Sequence, residues 1–88
     1  MIVTLIEAED CHLCHDAHAI LDRLTSEGCP MDITVLDWTD HAAKPLLQRD
    51  GVPFPPALYV DGELWAYGRV SERAIRKRLA KRGFTNPS

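Results

Sequence analysis

Two cysteines separated by two residues are the clearest chemical feature of this chain, in the segment Cys11-His12-Leu13-Cys14. This CxxC motif lies where an apolar run over residues 2–6 ends and an amphipathic helical pattern begins. Two thiols at this spacing can close a small disulfide ring, and the amides at a helix N-terminus favour the thiolate of the first one. The pattern therefore predicts a reversible dithiol at the start of a helix.

A dithiol that exchanges with a disulfide needs one reachable thiolate and a second thiol that resolves the mixed disulfide. We predict Cys11, just ahead of the helix, as the exposed nucleophile, and Cys14, one turn into the helix, as the more buried resolving thiol. His12 would favour the thiolate when protonated. The acidic residues Glu9 and Asp10 oppose it, because nearby negative charge raises the energy of a thiolate.

The same two cysteines allow three other interpretations. With His15 they fit the C-x-x-C-H pattern of covalent haem attachment, although the motif follows a strand and no export signal is expected. With His15 and His18 they offer four ligands to zinc or copper, although structural zinc sites usually combine two separated pairs. They could also be small buried residues on a fold that has no activity.

Length and composition predict a single domain over residues 1–88. Hydrophobic residues make up 45% and charged residues 26%, which is ordinary for a globular protein and excludes disorder as the default. No apolar run approaches the roughly 18 residues of a membrane span. The chain has three cysteines, so structural disulfides within it cannot include all of them, and Cys29 is the one outside the CxxC motif. We expect a cytoplasmic protein that does not enter a membrane.

Positive charge is concentrated near the end of the chain, although the net charge is −3. Seven of the ten lysines and arginines lie within residues 69–82. A basic helix with nearby aromatic residues can bind nucleic acid, but aromatic residues on strands are ordinary packing material. We therefore predict no nucleic-acid partner and interpret the stretch as a solvated face that complements an acidic body, or docks an acidic protein.

Hydrophobic spacing and turn residues predict an α/β fold with the order β-α-β-α-β-β-α, a four-stranded mixed sheet flanked by helices. The first strand, helix and second strand form a βαβ unit with parallel strands. The dipeptide Asp61-Gly62 predicts a tight hairpin turn, and Ser71 can cap the last helix. The predicted strands are residues 1–6, 33–36, 57–60 and 63–66, and the first two helices end before Gly28 and Gly51.

The CxxC motif and a second motif, residues 56–62, together resemble the thioredoxin-fold superfamily, and within it the small glutaredoxin-like proteins. The second motif looks like the cis-proline, strand and turn that face the active site in that superfamily. The resemblance covers essentially the whole chain. It implies a glutaredoxin-like fold and a thiol-disulfide oxidoreductase with Cys11 and Cys14 as its catalytic residues.

The resemblance also implies a substrate-binding surface beside the cysteines. Pro56 would be the cis-proline that shapes the groove, and Pro53 is a rival that does not abut the strand. The residues assigned to this surface are His12, Leu13, Phe54, Pro55 and Pro56.

Three positions depart from the glutaredoxin pattern. Pro55, before the cis-proline, has no N–H to offer to a substrate peptide or to glutathione. Glu9 stands where glutathione-using members carry a basic residue, and the glycine pair that grips glutathione is reduced to Gly68. The sequence therefore favours dithiol chemistry more strongly than glutathione binding.

The predicted reaction requires no bound cofactor and no metal. Its substrate is a disulfide-containing protein or a low-molecular-weight thiol compound, and either glutathione or a reductase supplies the electrons. The competing prediction is a metal-binding or non-catalytic interaction module on the same fold.

Overall fold

A computed structural model describes residues 1–83, so the last five residues of the predicted domain, 84–88, lie outside the described part. The predicted element order is confirmed. The elements are β1 (Ile2–Glu7), α1 (His12–Ser26), β2 (Asp32–Asp37), α2 (Lys44–Asp50), β3 (Ala57–Val60), β4 (Glu63–Tyr67) and α3 (Glu72–Lys81).

The four strands form one mixed sheet in the order β2-β1-β3-β4. Strand β1 runs parallel to β2 and antiparallel to β3, and β4 is antiparallel to β3. The apolar first strand is therefore central, as its sequence predicts. This order and these directions, with the three helices, are those of the glutaredoxin-like thioredoxin fold.

The central strands send alternate side chains to two separate cores. Val3 and Leu5 of β1 join one core with residues of α1 and α3, whereas Ile6 joins a second core beside α2. In β3, Leu58 belongs to the first core and Tyr59 to the second. This division follows from the two-residue period of a strand, and it fixes the sheet between its two helical layers.

Local sequence signals set the ends of the later elements. Gly51 ends α2 with a φ of 63°, in the left-handed region that glycine adopts without strain. Asp61 and Gly62 both have positive φ, 51° and 82°, as a two-residue type I′ hairpin turn requires. The Ser71 hydroxyl accepts a hydrogen bond from the Ala74 amide at 3.2 Å and so caps α3.

Ion pairs join α1 to α3. The Arg76 guanidinium donates to both carboxylate oxygens of Glu27, at 2.7 and 2.6 Å, and to Glu72 at 2.9 Å. Arg23 of α1 also donates to Glu72, at 2.9 Å through its Nε. These hydrogen bonds from Arg23 and then Arg76 lower the pKa of Glu72. Arg76 of the basic stretch thus pairs with Glu27, an acidic residue outside that stretch, as predicted.

Tyr59 ties β3 to α2 on the other side of the sheet. Its side chain is buried, and its hydroxyl donates to the Leu46 carbonyl at 3.0 Å. Burial raises the pKa of Tyr59 to about 12, so the hydroxyl keeps its donor proton well into the alkaline range. No helix within residues 1–83 combines the length and apolar character needed to span a bilayer.

Candidate active site

The sheet register brings the CxxC motif and the proline loop to the same edge. Ile6, near the carboxyl end of β1, pairs with Ala57 at the start of β3. The chain leaving β1 leads to Cys11, and the chain entering β3 comes directly from Pro56. The two motifs on which the family resemblance depends therefore converge at one end of the sheet.

Cys11 and Cys14 form a disulfide, with their Cα atoms 5.1 Å apart. Cys11 is the N-cap residue of α1, and its sulfur accepts a hydrogen bond from the Cys14 amide at 3.1 Å. A sulfur in this position faces the unpaired amides of the first helical turn, which stabilise negative charge on it.

The two sulfurs differ in exposure. The Cys14 residue is only 2% exposed, whereas Cys11 is half-buried. An incoming sulfur atom can therefore reach Cys11 more readily than Cys14. This asymmetry is the one expected of an attacking and a resolving thiol.

Asp10 has a left-handed backbone conformation that the sequence analysis did not predict. Its φ is 53°, immediately before the N-cap. Aspartate is one of the few residues besides glycine that visit this region routinely, because its short side chain hydrogen-bonds locally. This turn redirects the chain from the β1 loop into α1, and it leaves the carboxylates of Glu9 and Asp10 in solvent.

A histidine-carboxylate pair lies beside the motif. His18 Nε2 and Glu7 Oε2 are 2.9 Å apart, and both side chains are partly buried. His18 is one helical turn beyond Cys14, on the same face of α1. His18 is therefore partly exposed to solvent and partly held against β1 by Glu7.

The proline loop has the predicted cis bond, between Pro55 and Pro56. Pro56 is fully buried, and its carbonyl accepts a hydrogen bond from the Gly68 amide at 2.7 Å. Pro55 is half-buried and, as a proline, offers no amide at the site. The loop is thus anchored to the end of β4 through Gly68.

Phe54 is the aromatic residue of the loop, and its residue surface is 50% exposed. Its ring meets Tyr67 edge to face, with the centroids 5.7 Å apart. A Cβ atom at Gly68 would lie 2.7 Å from the ring, and Gly68 has a φ of 69°. A side chain here would therefore strain the backbone and force the Phe54 ring to move.

The residues between the cysteines present two different surfaces. His12 is exposed to solvent, whereas Leu13 is half-buried and lines a shallow pocket of about 330 Å³. Arg69 and Val70, which follow Gly68, line the same pocket. The CxxC motif and the segment after β4 therefore line one pocket, an arrangement that the sequence does not predict.

The remaining candidate ligands and thiols lie apart. Within residues 1–83, no three His, Cys, Asp or Glu side chains are grouped as metal ligands would be, and His15 is exposed. Cys29 is 3% exposed and belongs to the core between the sheet, α1 and α3. Burial raises the pKa of its thiol.

No protein-family model matches the chain, and no curated protein matches it. Among solved structures, it is similar to the crystal structure of glutaredoxin 1 from Francisella tularensis complexed with cacodylate. The two sequences are 20% identical, the match covers 92% of this chain and 93% of that chain, and the TM-score is 0.47. The fold assignment itself rests on the strand order, the strand directions and the helices described above.

Proposed function

We propose that this protein is a thiol-disulfide oxidoreductase whose active pair is Cys11 and Cys14. The observation that carries the proposal is the placement of the pair. The two cysteines close a disulfide at the N-terminus of α1, with Cys11 accessible and Cys14 buried. A thiolate at Cys11 would be stabilised by the helix amides and reachable by a substrate.

In the first step, the Cys11 thiolate attacks one sulfur of a substrate disulfide. A bond forms between Cys11 Sγ and that sulfur, and the substrate S–S bond breaks. The electron pair of the broken bond leaves with the second substrate sulfur as a thiolate, which takes a proton from water. The protein then holds the first half of the substrate as a mixed disulfide.

In the second step, the Cys14 thiolate attacks Cys11 Sγ and displaces the remaining substrate sulfur. The substrate has gained two electrons and two protons, and the protein has become the Cys11–Cys14 disulfide. The hydrogen bond between the Cys14 amide and Cys11 Sγ holds the two sulfur positions within one helical turn. Glutathione or a reductase then returns the disulfide to the dithiol.

The residues around the cysteines favour a protein disulfide over a glutathione disulfide as the substrate. Glu9 is exposed beside the motif and repels the carboxylates of glutathione, and Pro55 lacks the amide that would bind its backbone. Phe54 on the proline loop and Leu13 between the cysteines instead offer apolar surface. A reducing cytoplasm, where a dithiol is kept available, is the compartment that suits this activity.

Insulin reduction by dithiothreitol tests the proposal, with the wild-type protein, Cys11→Ser, Cys14→Ser and Cys29→Ala compared. We expect the wild type and Cys29→Ala to accelerate reduction and Cys11→Ser to have no effect. Cys14→Ser lacks the resolving thiol, so the reduced variant, incubated with insulin after dithiothreitol is removed, should accumulate a mixed disulfide that intact-mass spectrometry detects. Unchanged acceleration by Cys11→Ser would contradict the proposal. A stoichiometric metal held by both cysteines would favour the competing binding module.

A further inference from the structure

The solvent face of α3 carries a row of cations that lack ion-pair partners. Arg73, Lys77 and Lys81 are spaced four residues apart, so they lie one above the other along the helix. All three are exposed, and none has an ion-pair partner within residues 1–83. Like charges at this spacing repel each other and destabilise the helix. An anionic partner would remove that repulsion.

A groove of about 430 Å³ runs beside this row, between β4 and α3. Ala66 and Ala74 contribute apolar surface to it, and Lys77, Arg78 and Lys81 contribute positive charge. Arg78 Nη1 is buried and has no hydrogen-bond acceptor within residues 1–83. A buried guanidinium N–H without an acceptor is costly, and the Arg78 side chain, which is 43% exposed, can turn this group toward a carboxylate in the groove.

The aromatic residue of the groove is already covered by cations. The Arg78 guanidinium lies 5.0 Å from the centre of the Trp65 ring, and that of Arg82 lies 5.8 Å from it. Arg82 is held by Asp61 at 2.6 Å. Single-stranded nucleic acid binds largely by stacking bases on such rings, so this covered indole does not suit it.

The surroundings point to a short acidic peptide segment. The chain as a whole has a net charge of −3, which repels the long uniform charge of a duplex or an anionic membrane. A short segment touches the basic groove alone, and its apolar side chains can contact Ala66 and Ala74. Within residues 1–83, strand β4 is also an edge of the sheet, so one side of its backbone has no strand partner there.

We propose that the groove between β4 and α3 is a docking site for an acidic, partly apolar polypeptide segment of a partner protein. The segment places its carboxylates against Lys77, Arg78 and Lys81 and its apolar side chains against the groove floor. This binding needs neither Cys11 nor Cys14, so the proposal stands or falls separately from the oxidoreductase activity.

Fluorescence anisotropy with a labelled peptide of alternating glutamate and leucine tests the proposal at low and moderate salt. The variants are Lys77→Glu/Lys81→Glu in the groove and Lys44→Glu/Arg49→Glu on α2, which change the net charge equally. We expect the groove variant to weaken binding at least about tenfold and the α2 variant to weaken it by less than about threefold. Far-ultraviolet circular dichroism checks folding, and Lys77→Gln/Lys81→Gln provides a milder replacement.

Three results would overturn the proposal. One is the absence of saturable peptide binding at low salt. Another is equal weakening by the two charge-reversal variants, which would show that only net charge matters. The third is tighter binding of a DNA oligonucleotide of equal charge, with the same loss in the groove variant, which would make the groove a nucleic-acid site.

Discussion

Helix α1 has a cysteine close to each end, and the two ends give these thiols opposite environments. Cys11 caps the N-terminus, is half-buried, and faces the free amides of the first turn. Cys29 follows the C-terminus, is 3% exposed, and packs in the main core. Helix amides stabilise a thiolate, whereas burial and the nearby Glu27 raise the pKa of the Cys29 thiol. Position on the fold therefore decides which cysteine can react.

The largest expected difference between the two ends is the rate of alkylation. In the fully reduced protein at pH 7.5, iodoacetamide should modify Cys11 at least about 100-fold faster than Cys29, because the thiolate reacts and Cys29 remains a buried thiol. Peptide mapping after timed quenching measures both rates. Cys29 labelling should increase only at pH values above the ordinary pKa of a cysteine thiol, because burial raises the pKa of Cys29. Equal rates at neutral pH would remove the distinction between the ends.

Replacing Cys29 should change stability without changing activity. Cys29→Ser puts a hydroxyl into an apolar core and should lower the free energy of unfolding by about 1–2 kcal/mol. Cys11→Ser, on the surface, should have a much smaller effect in the reduced protein. Urea denaturation under reducing conditions measures both. A loss of insulin reduction in a folded Cys29→Ala protein would instead give the buried thiol a redox role.

The smallest expected effect comes from Gly68, which shapes the reactive end. Gly68→Ala forces a non-glycine residue to a φ of 69° and pushes against the Phe54 ring, at a cost of about 1 kcal/mol. We expect a modest fall in Tm and a weaker apparent affinity for a protein disulfide, because Phe54 moves. Phe54→Ala is the matched control, since it removes the same ring without backbone strain. An unchanged affinity in the Gly68→Ala protein would show that Phe54 does not contribute to substrate binding.

Local rules predicted much of the fold and the main residues of the site. The Asp61-Gly62 turn and the Ser71 cap each follow from a few adjacent residues, and the βαβ unit follows from hydrophobic spacing. The cis bond before Pro56 was predicted from the family resemblance instead. The CxxC motif carries its chemistry within one helical turn, so its position was predicted as well.

Contacts between residues distant in sequence were not predictable in the same way. The Glu7–His18 pair and the three-way contact of Arg76 with Glu27 and Glu72 depend on how α1 lies against β1 and α3. Many charged pairs satisfy the same spacing rules, and only the packed fold selects among them. The position of the Phe54 ring over Gly68 likewise depends on how the proline loop packs against the segment after β4.

A redox titration of Cys11 and Cys14 in a Cys29→Ala background tests whether these two cysteines form a reversible dithiol-disulfide pair. Metal-free protein is equilibrated with glutathione buffers, and the free thiols are counted by the mass shift on labelling. We expect one reversible two-electron transition, with a reduction potential between those of thioredoxin and glutaredoxins, roughly −200 to −270 mV. A pair that never oxidises, or that oxidises without returning to the dithiol, would contradict it.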